Sequence, residues 1–277
     1  METLSIVVPA YNEARRLSVL FAALEGDADR QARLAGLELV EVVVVDDGST
    51  DETPELLEKR ASGDRRVRVI HLERNRGKGA AVRSGVLAVT SPYVLVTDVD
   101  LSTPLSELAT LKAALEEGND LAIGSRGLPL SRIAIHQPRH RELMGKSFNA
   151  LLRLLTGLPH RDTQCGFKLF RSHNTRVLFE LQQIEGFAFD AELCLNASRL
   201  GLRVAEVPVA WNDNRDTKVK LMRSSSRMAL DLLRIWLVAR RPLPPTVDRC
   251  SPPAPTRGSG PPAKAEPERA SSTPTGS

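Results

Sequence analysis

The chain has 277 residues, 42% hydrophobic and 26% charged, with 38 Lys/Arg against 34 Asp/Glu for a formal charge of +4. That size suits one large or two small domains with a real core, and the composition excludes collagen-like, disulfide-scaffold and wholly disordered chains. The basicity is local: residues 215–241 hold eight Lys/Arg against Asp216 and Asp231, 242–277 are nearly neutral and 1–214 are net acidic, which argues against a nucleic-acid-binding domain.

In chain order, β-rich runs at 5–10, 39–45, 67–72, 93–97 and 121–124 alternate with helix-like segments at 13–24, 54–60, 79–89 and 105–117. In the last of these, Leu105, Leu108, Leu111 and Leu115 form one apolar stripe. Strands apolar on both faces and alternating with helices predict an α/β fold with a mostly parallel sheet covered by helices. The second half is less regular. Residues 133–141 read as a loop, 143–156 as a helix, 166–170 as a strand, 190–200 as a helix and 204–210 as a strand ended by Trp211. A basic amphipathic helix is predicted over 222–241, with Met228, Leu232, Ile235 and Trp236 on one face. From Pro242 a Pro/Ser/Gly/Ala tail has too few large apolar residues to fold. The expected division is a domain over 1–214, a basic segment over 215–241 and a disordered tail over 242–277.

Ligands of such sheets sit beyond the carboxyl ends of the strands. Pro9-Ala10-Tyr11-Asn12-Glu13 follows the first run, Asp46-Asp47-Gly48-Ser49 the second, Asp98-Val99-Asp100 the fourth and Ser125-Arg126-Gly127 the fifth. Asp98 and Asp100, two residues apart after a buried strand, suit a shared hard cation, Mg²⁺ or Mn²⁺. A solvated acidic turn is the plainer reading of the same pair. At 46–49, an ordinary strand-to-helix turn accounts for Gly48 and Ser49 but not for two adjacent acids, one of which suits a hydrogen bond from a base N–H. Arg74-Asn75-Arg76-Gly77-Lys78-Gly79 is a basic, glycine-rich helix start; it fits a phosphate, and equally a solvated helix terminus. Cys165, Cys194 and Cys250 form neither a disulfide framework nor a zinc motif. The N-terminal residues carry no signal-peptide pattern and no apolar run reaches bilayer length, so a cytoplasmic protein is expected.

These motifs, in this order, resemble the inverting glycosyltransferase family 2, which has the Rossmann-like GT-A fold. DVDLSTP at 98–104, DTQCGFKLF at 162–170, GFAFDAEL at 186–193 and EVPVAW at 206–211 bring the likeness closer to dolichyl-phosphate β-glucosyltransferases and related polyprenyl-phosphate sugar synthases. The resemblance implies that Pro9, Tyr11, Glu13, Asp46 and Asp47 hold the uridine of UDP-glucose, with Lys78 and Gln164 completing the nucleotide-sugar site. It implies that Asp98 and Asp100 meet the diphosphate through the metal, and that Arg126, Arg139, Arg141 and Lys218 serve phosphates. Asp190 becomes an active-site residue, with Glu192 beside it and Thr163 and Lys168 lining the pocket. The basic segment then fits a membrane surface, the acceptor being a polyprenyl phosphate. Alternatives are a soluble hydroxyl acceptor, GDP-mannose as donor, or an inactive membrane-surface protein; retention of both Asp98 and Asp100 argues against the last. Two features depart from the pattern of many relatives: the residues given before the first strand hold no apolar run of bilayer length, and Lys218 follows Asn-Asp-Asn-Arg-Asp-Thr where relatives often have Gly-Ser-Lys.

Overall fold

A computed structural model describes residues 1–135, 139–212, 230 and 233–240. In chain order the strands are β1 (Glu2–Ala10), β2 (Leu37–Asp46), β3 (Val67–His71), β4 (Tyr93–Val96), β5 (Leu121–Ser125), β6 (Arg132–Ile135), β7 (Lys168–Arg171), β8 (Val204–Pro208) and β9 (Ala210–Asn212). The helices are α1 (Leu17–Leu24), α2 (Asp27–Leu34), α3 (Thr53–Gly63), α4 (Lys78–Ala88), α5 (Leu108–Glu116), α6 (Arg139–Thr156), α7 (Ser172–Leu181) and α8 (Phe189–Leu200). Seven strands form one sheet in the order β3-β2-β1-β4-β7-β5-β8, and β6 pairs with β9 in a small second sheet. All neighbours in the main sheet are parallel except β7, which runs antiparallel to both β4 and β5.

Strand alternation divides the core. Ile6, Val8, Val42 and Val44 face a cluster with Leu17, Leu20, Leu57 and Leu111, whereas Val7, Val43 and Val45 face one with Val82, Leu178, Phe179 and Leu193. Helices α1, α2, α3 and α5 therefore cover one face, and α4, α7 and α8 the other. Leu152 of α6, and Ile235 and Val238 of the helical residues 233–240, extend the second cluster.

Several expectations change. The first helix begins at Leu17, not at residue 13, because the Glu13 N–H donates to Thr53 Oγ1 (2.8 Å) and the chain first turns back through Arg16 N–H to the Glu13 carbonyl (2.7 Å). Helix α2 was not foreseen, since only Ala28 and Ala32 of its polar sequence are buried. The segment 133–141, read as a loop, is instead entered by β6, which runs from Arg132 to Ile135, and α6 starts within it at Arg139. Pro208, which has no N–H to donate, ends β8, and the chain resumes as β9 two residues later. Of the basic segment only 230 and 233–240 are described; Lys218 and the 242–277 tail lie outside the described residues. No helix among the described residues is long and apolar enough to cross a membrane.

Candidate active site at the carboxyl edge of the sheet

The loops after β1 and β2 are stitched into one surface. Asn12, in the left-handed region at φ 54°, donates its N–H to Ser49 Oγ (2.9 Å) and accepts the Thr50 N–H on Oδ1 (2.8 Å). This leaves the Tyr11 ring 42% exposed, an aromatic face at the strand edge. Asp46 accepts Ser49 N–H on one oxygen (3.0 Å) and faces His71 Nδ1 with the other (3.0 Å). Asp47 reaches across to the basic turn, accepting the N–H groups of Arg76 and Gly77 (both 2.8 Å) and Asn75 Nδ2 (3.0 Å). Burial pushes the Asp47 carboxyl above its usual value despite those bonds. Gly48 makes this approach possible: its φ is 69°, and a Cβ there would lie 2.5 Å from the Arg74 carbonyl carbon. The two acids that turn chemistry left unexplained thus organise the neighbouring loops.

Lys78 is the first residue of α4, and its Nζ lies 2.7 Å from Asp98 Oδ1. Burial lowers the Lys78 pKa, but the Asp98 and Asp190 carboxylates outweigh it and raise the value; burial raises that of Asp98, but Lys78 brings it below the usual carboxylate range. The Asp98 side chain remains 40% exposed. Asp100 accepts Ser102 N–H (3.0 Å) and Ser102 Oγ (2.8 Å), and its other oxygen lies 3.3 Å from Arg16 Nη1. Arg16 also pairs with Glu13 (2.6 Å), joining the first motif to the D-x-D turn. The turn is tight: Leu101 has φ 47°, uncommon for a branched side chain. A Cβ on Gly166 would collide with the Asp98 carboxylate, so the chain entering β7 passes directly over that group.

Behind this edge lies a buried pair. Lys168 Nζ is 2.5 Å from Asp190 Oδ1 and also donates to the Cys165 carbonyl. Their side chains are 2% and 5% exposed. Burial pushes Asp190 up, opposed by Lys168 and Lys78. Glu192, wholly buried, accepts the N–H groups of Gln183 (2.9 Å) and Ile184 (2.7 Å) and so clamps the loop before α8. Arg126 makes a two-pronged bond to Asp162, Nε to Oδ2 at 2.7 Å and Nη2 to Oδ1 at 3.0 Å, under the Trp211 ring. Gln164 donates its backbone N–H to Asp162 Oδ1 (3.1 Å).

Pro9, Tyr11, Glu13, Asp46, Asp47, Asp98, Asp100, Arg126 and Gln164 are carried by this edge or by the loops entering it, with Lys78 as the first residue of α4 and Asp190 as the second residue of α8 behind it. Arg139 and Arg141 fall in the first turns of α6, and their side chains lie outside the described residues. Lys168, expected to line the pocket, is buried against Asp190, and Arg16 is the cation that the motifs do not mark; its position i+3 from Glu13 is the signal for it. A separate open groove lined by Arg30, Arg33 and Arg66 sits at the amino end of β3, opposite this edge, and holds none of its carboxylates.

The donor set suits a divalent cation. Two hard carboxylates at one turn, one of them partly exposed, match an ion held by one or two carboxylates plus substrate phosphates. Among the described residues no cluster of three or more His, Cys, Asp or Glu offers a complete protein cage.

Residues 5–178 match the family model described as "Glycosyl transferase family 2". The chain is 36% identical over 237 residues to Glycosyltransferase AglD of Haloferax volcanii, covering 84% of this chain but 36% of that protein. It is 35% identical over 243 residues to the dolichyl-phosphate beta-glucosyltransferase of Homo sapiens, covering 84% of this chain and 75% of that one. Among solved structures it resembles the glucosyl-3-phosphoglycerate synthase of Mycobacterium tuberculosis in complex with UDP, at 25% identity and a TM-score of 0.58 over 85% of this chain and 80% of the other. The open carboxyl edge, its D-x-D turn and these likenesses agree: the chain belongs to glycosyl transferase family 2 and is a sugar transferase of GT-A architecture.

Proposed function

We propose that this protein transfers glucose from UDP-glucose to a polyprenyl phosphate with inversion at the anomeric carbon. The observation that carries the choice of acceptor is the state of the carboxylates. Asp98 is paired with Lys78, Asp100 with Arg16, Asp162 with Arg126 and Asp190 with Lys168, while Glu192 is spent on backbone N–H groups. A hydroxyl acceptor needs a free general base. A phosphate monoester is already anionic at neutral pH and needs only positioning. Its oxygen forms the new bond to C1 as the bond from C1 to the UDP oxygen breaks, and the electron pair leaves with UDP. Dolichyl-phosphate beta-glucosyltransferases aligned over most of their length support the same acceptor class.

In this reading Tyr11 offers its ring to the uracil, Asp46 and Asp47 hold the loops around the ribose, and Lys78 and Arg126 meet phosphate charge. Asp98 and Asp100 would hold Mg²⁺ or Mn²⁺, which supplies Lewis-acid stabilisation of the departing diphosphate. Asp190, fixed by Lys168, shapes the sugar pocket and is not a base.

The reaction takes place at a membrane surface on its cytoplasmic side. Ile235 and Val238 are buried in the core while Leu230, Leu233 and Leu237 are 54%, 52% and 43% exposed. Leu151, Leu154 and Leu155 of α6 are exposed too, around the buried Leu152. Outward leucines with the arginines and lysines of 215–241 suit an interface of anionic lipids. Incubation with labelled UDP-glucose, Mg²⁺ and a short polyprenyl phosphate should move the label into the lipid extract. Label that stays aqueous with every lipid acceptor overturns the reading, and transfer from GDP-mannose instead reassigns the donor.

A further inference from the structure

Two of the motifs met in the sequence converge on one side chain. Asp162 opens DTQCGFKLF, and Glu206 and Trp211 bound EVPVAW; Asp162 and Trp211 contact Arg126, and Glu206 holds the residues beside it. Besides its two bonds to the guanidinium, Asp162 Oδ2 accepts the backbone N–H of Arg126 at 3.0 Å, so one carboxylate fixes both ends of the residue. Glu206, on the neighbouring β8, holds that carboxylate's own loop: Oε1 accepts Asp162 N–H at 2.8 Å, and Arg161 N–H lies 2.9 Å from Oε2. The same Oε1 accepts Ser125 Oγ at 2.7 Å, and Ser125 Oγ in turn accepts Gly127 N–H at 3.1 Å. Glu206 therefore binds Ser125 directly, reaches Gly127 through the Ser125 hydroxyl, and holds the segment that bears the partner of Arg126. The Trp211 ring covers the guanidinium 5.4 Å from its centroid. Trp211 also lines a recess with Asp98, Ser102 and Gly166, and Asn212 N–H donates to the Ser102 carbonyl at 2.8 Å, which ties β9 to the D-x-D turn.

The planar fork of arginine makes this arrangement directional. Nε and Nη2 are spent on Asp162, and Nη1 makes no hydrogen bond among the described residues. We propose that Asp162, Glu206 and Trp211 are positioning residues that lock Arg126 so that Nη1 meets a phosphate oxygen in the cleft beside Asp98. The inference rests on the reading of the cleft as a phosphate site; the phosphate is the donor's diphosphate or the acceptor's monoester. A residue that acts only through Arg126 loses its effect once the fork is gone, whereas a residue that merely stabilises the fold does not.

The test is a double-mutant cycle in binding, on the full chain. Calorimetric affinities for UDP with Mn²⁺ and, separately, for farnesyl phosphate are measured for wild type, Asp162→Asn, Arg126→Lys and the double variant. Each single substitution should weaken one of the two probes about tenfold, and the double variant should bind within about twofold of Arg126→Lys alone. Loss in the UDP arm assigns the donor diphosphate, and loss in the farnesyl phosphate arm assigns the acceptor. Trp211→Phe should recover most of what Trp211→Ala loses, because it keeps an aromatic face. If Asp162→Asn does not fold, Glu206→Gln replaces it in the cycle, with an expected loss of about threefold. Multiplying losses in the double variant, or unchanged affinity for both probes, overturns the proposal. Because no turnover is needed, absence of glucosyl transfer would count against the function above and leave this cycle readable.

Discussion

Lys78 Nζ and Asp98 Oδ1 lie 2.7 Å apart, so the cation that opens α4 is committed to the first carboxylate of the D-x-D turn. Any phosphate or metal arriving at this edge competes with an existing ion pair. Release of Lys78 toward the diphosphate and of Asp98 toward the metal would then occur together, each new partner replacing the old.

Lys78→Met leaves the Asp98 carboxylate without its partner. Because Asp98 is partly exposed, the cost should be about 1–2 kcal/mol, below that of breaking a fully buried pair. Thermal unfolding should shift down by about 2–8 °C. Added Mn²⁺ should raise the melting temperature more for the variant than for wild type, since the freed carboxylate binds it without competition. Equal Mn²⁺ responses would show that Lys78 and metal do not share Asp98.

Asp100→Asn preserves size and an oxygen for Ser102, but removes the charge that faces Arg16. Turnover should fall about 100- to 1,000-fold, with thermal unfolding little changed. A wild-type rate in steady-state assays would refute the metal assignment.

Gly48→Ala places a Cβ against the Arg74 backbone at a φ of 69°. Strain and displacement of the 74–77 turn should cost about 1–3 kcal/mol in urea unfolding. Asp47 would lose its bonds to Arg76 and Gly77 as that turn moves, so the KM for UDP-glucose should rise. A neutral substitution by both measures would mean that the two loops do not need their close contact.

His71 carries a pH-dependent share of stability. Its hydrogen bond with Asp46 raises its pKa, burial opposes this, and Glu58 at 2.8 Å from Nε2 adds to the rise. A histidine with a folded pKa above its unfolded value stabilises fully below about pH 6.5 and loses that contribution as pH rises through the folded pKa. The stability gap between wild type and His71→Gln should therefore be widest on the acid side and close toward alkaline pH. A gap that widens with rising pH in denaturant titrations would reverse the assignment.

Residues 233–240 separate packing from membrane contact. Ile235→Ala should lower stability by about 2–4 kcal/mol, since the side chain is fully buried. Leu233→Glu with Leu237→Glu should leave unfolding almost unchanged and weaken sedimentation with anionic vesicles. Equal vesicle binding by that double variant and wild type would place the lipid contact elsewhere.

The sheet and the D-x-D edge were legible because strands buried on both faces leave continuous apolar runs, and polar groups stand out where the runs end. Helix α7 was not, because its buried Thr175, Leu178 and Phe179 follow a polar Ser-His-Asn start that hides the period. Partner choice was less legible still. Asp47 is bonded to Asn75, Arg76 and Gly77, nearly thirty residues away, and nothing local distinguishes those bonds from a ligand's. Arg126 was picked out by its place after β5, but its dependence on Glu206 joins residues eighty positions apart and exists only once β8 lies beside β5.

The reversed strand β7 has a consequence for how the protein comes off the ribosome. It occupies the slot between β4 and β5, some forty residues after β5 has emerged. Until Lys168, Leu169, Phe170 and Arg171 insert, β4 and β5 have no strand between them, a gap of about 10 Å at ordinary strand spacing. Each then shows an unpaired hydrogen-bonding edge of the kind that recruits other chains. The first 125 residues, although they carry the D-x-D turn and the loops stitched around Asp46 and Asp47, thus leave that gap open. The gap closes when the segment bearing Lys168 arrives, its ion pair follows with Asp190 twenty-two residues later, and β8 then completes the sheet against β5.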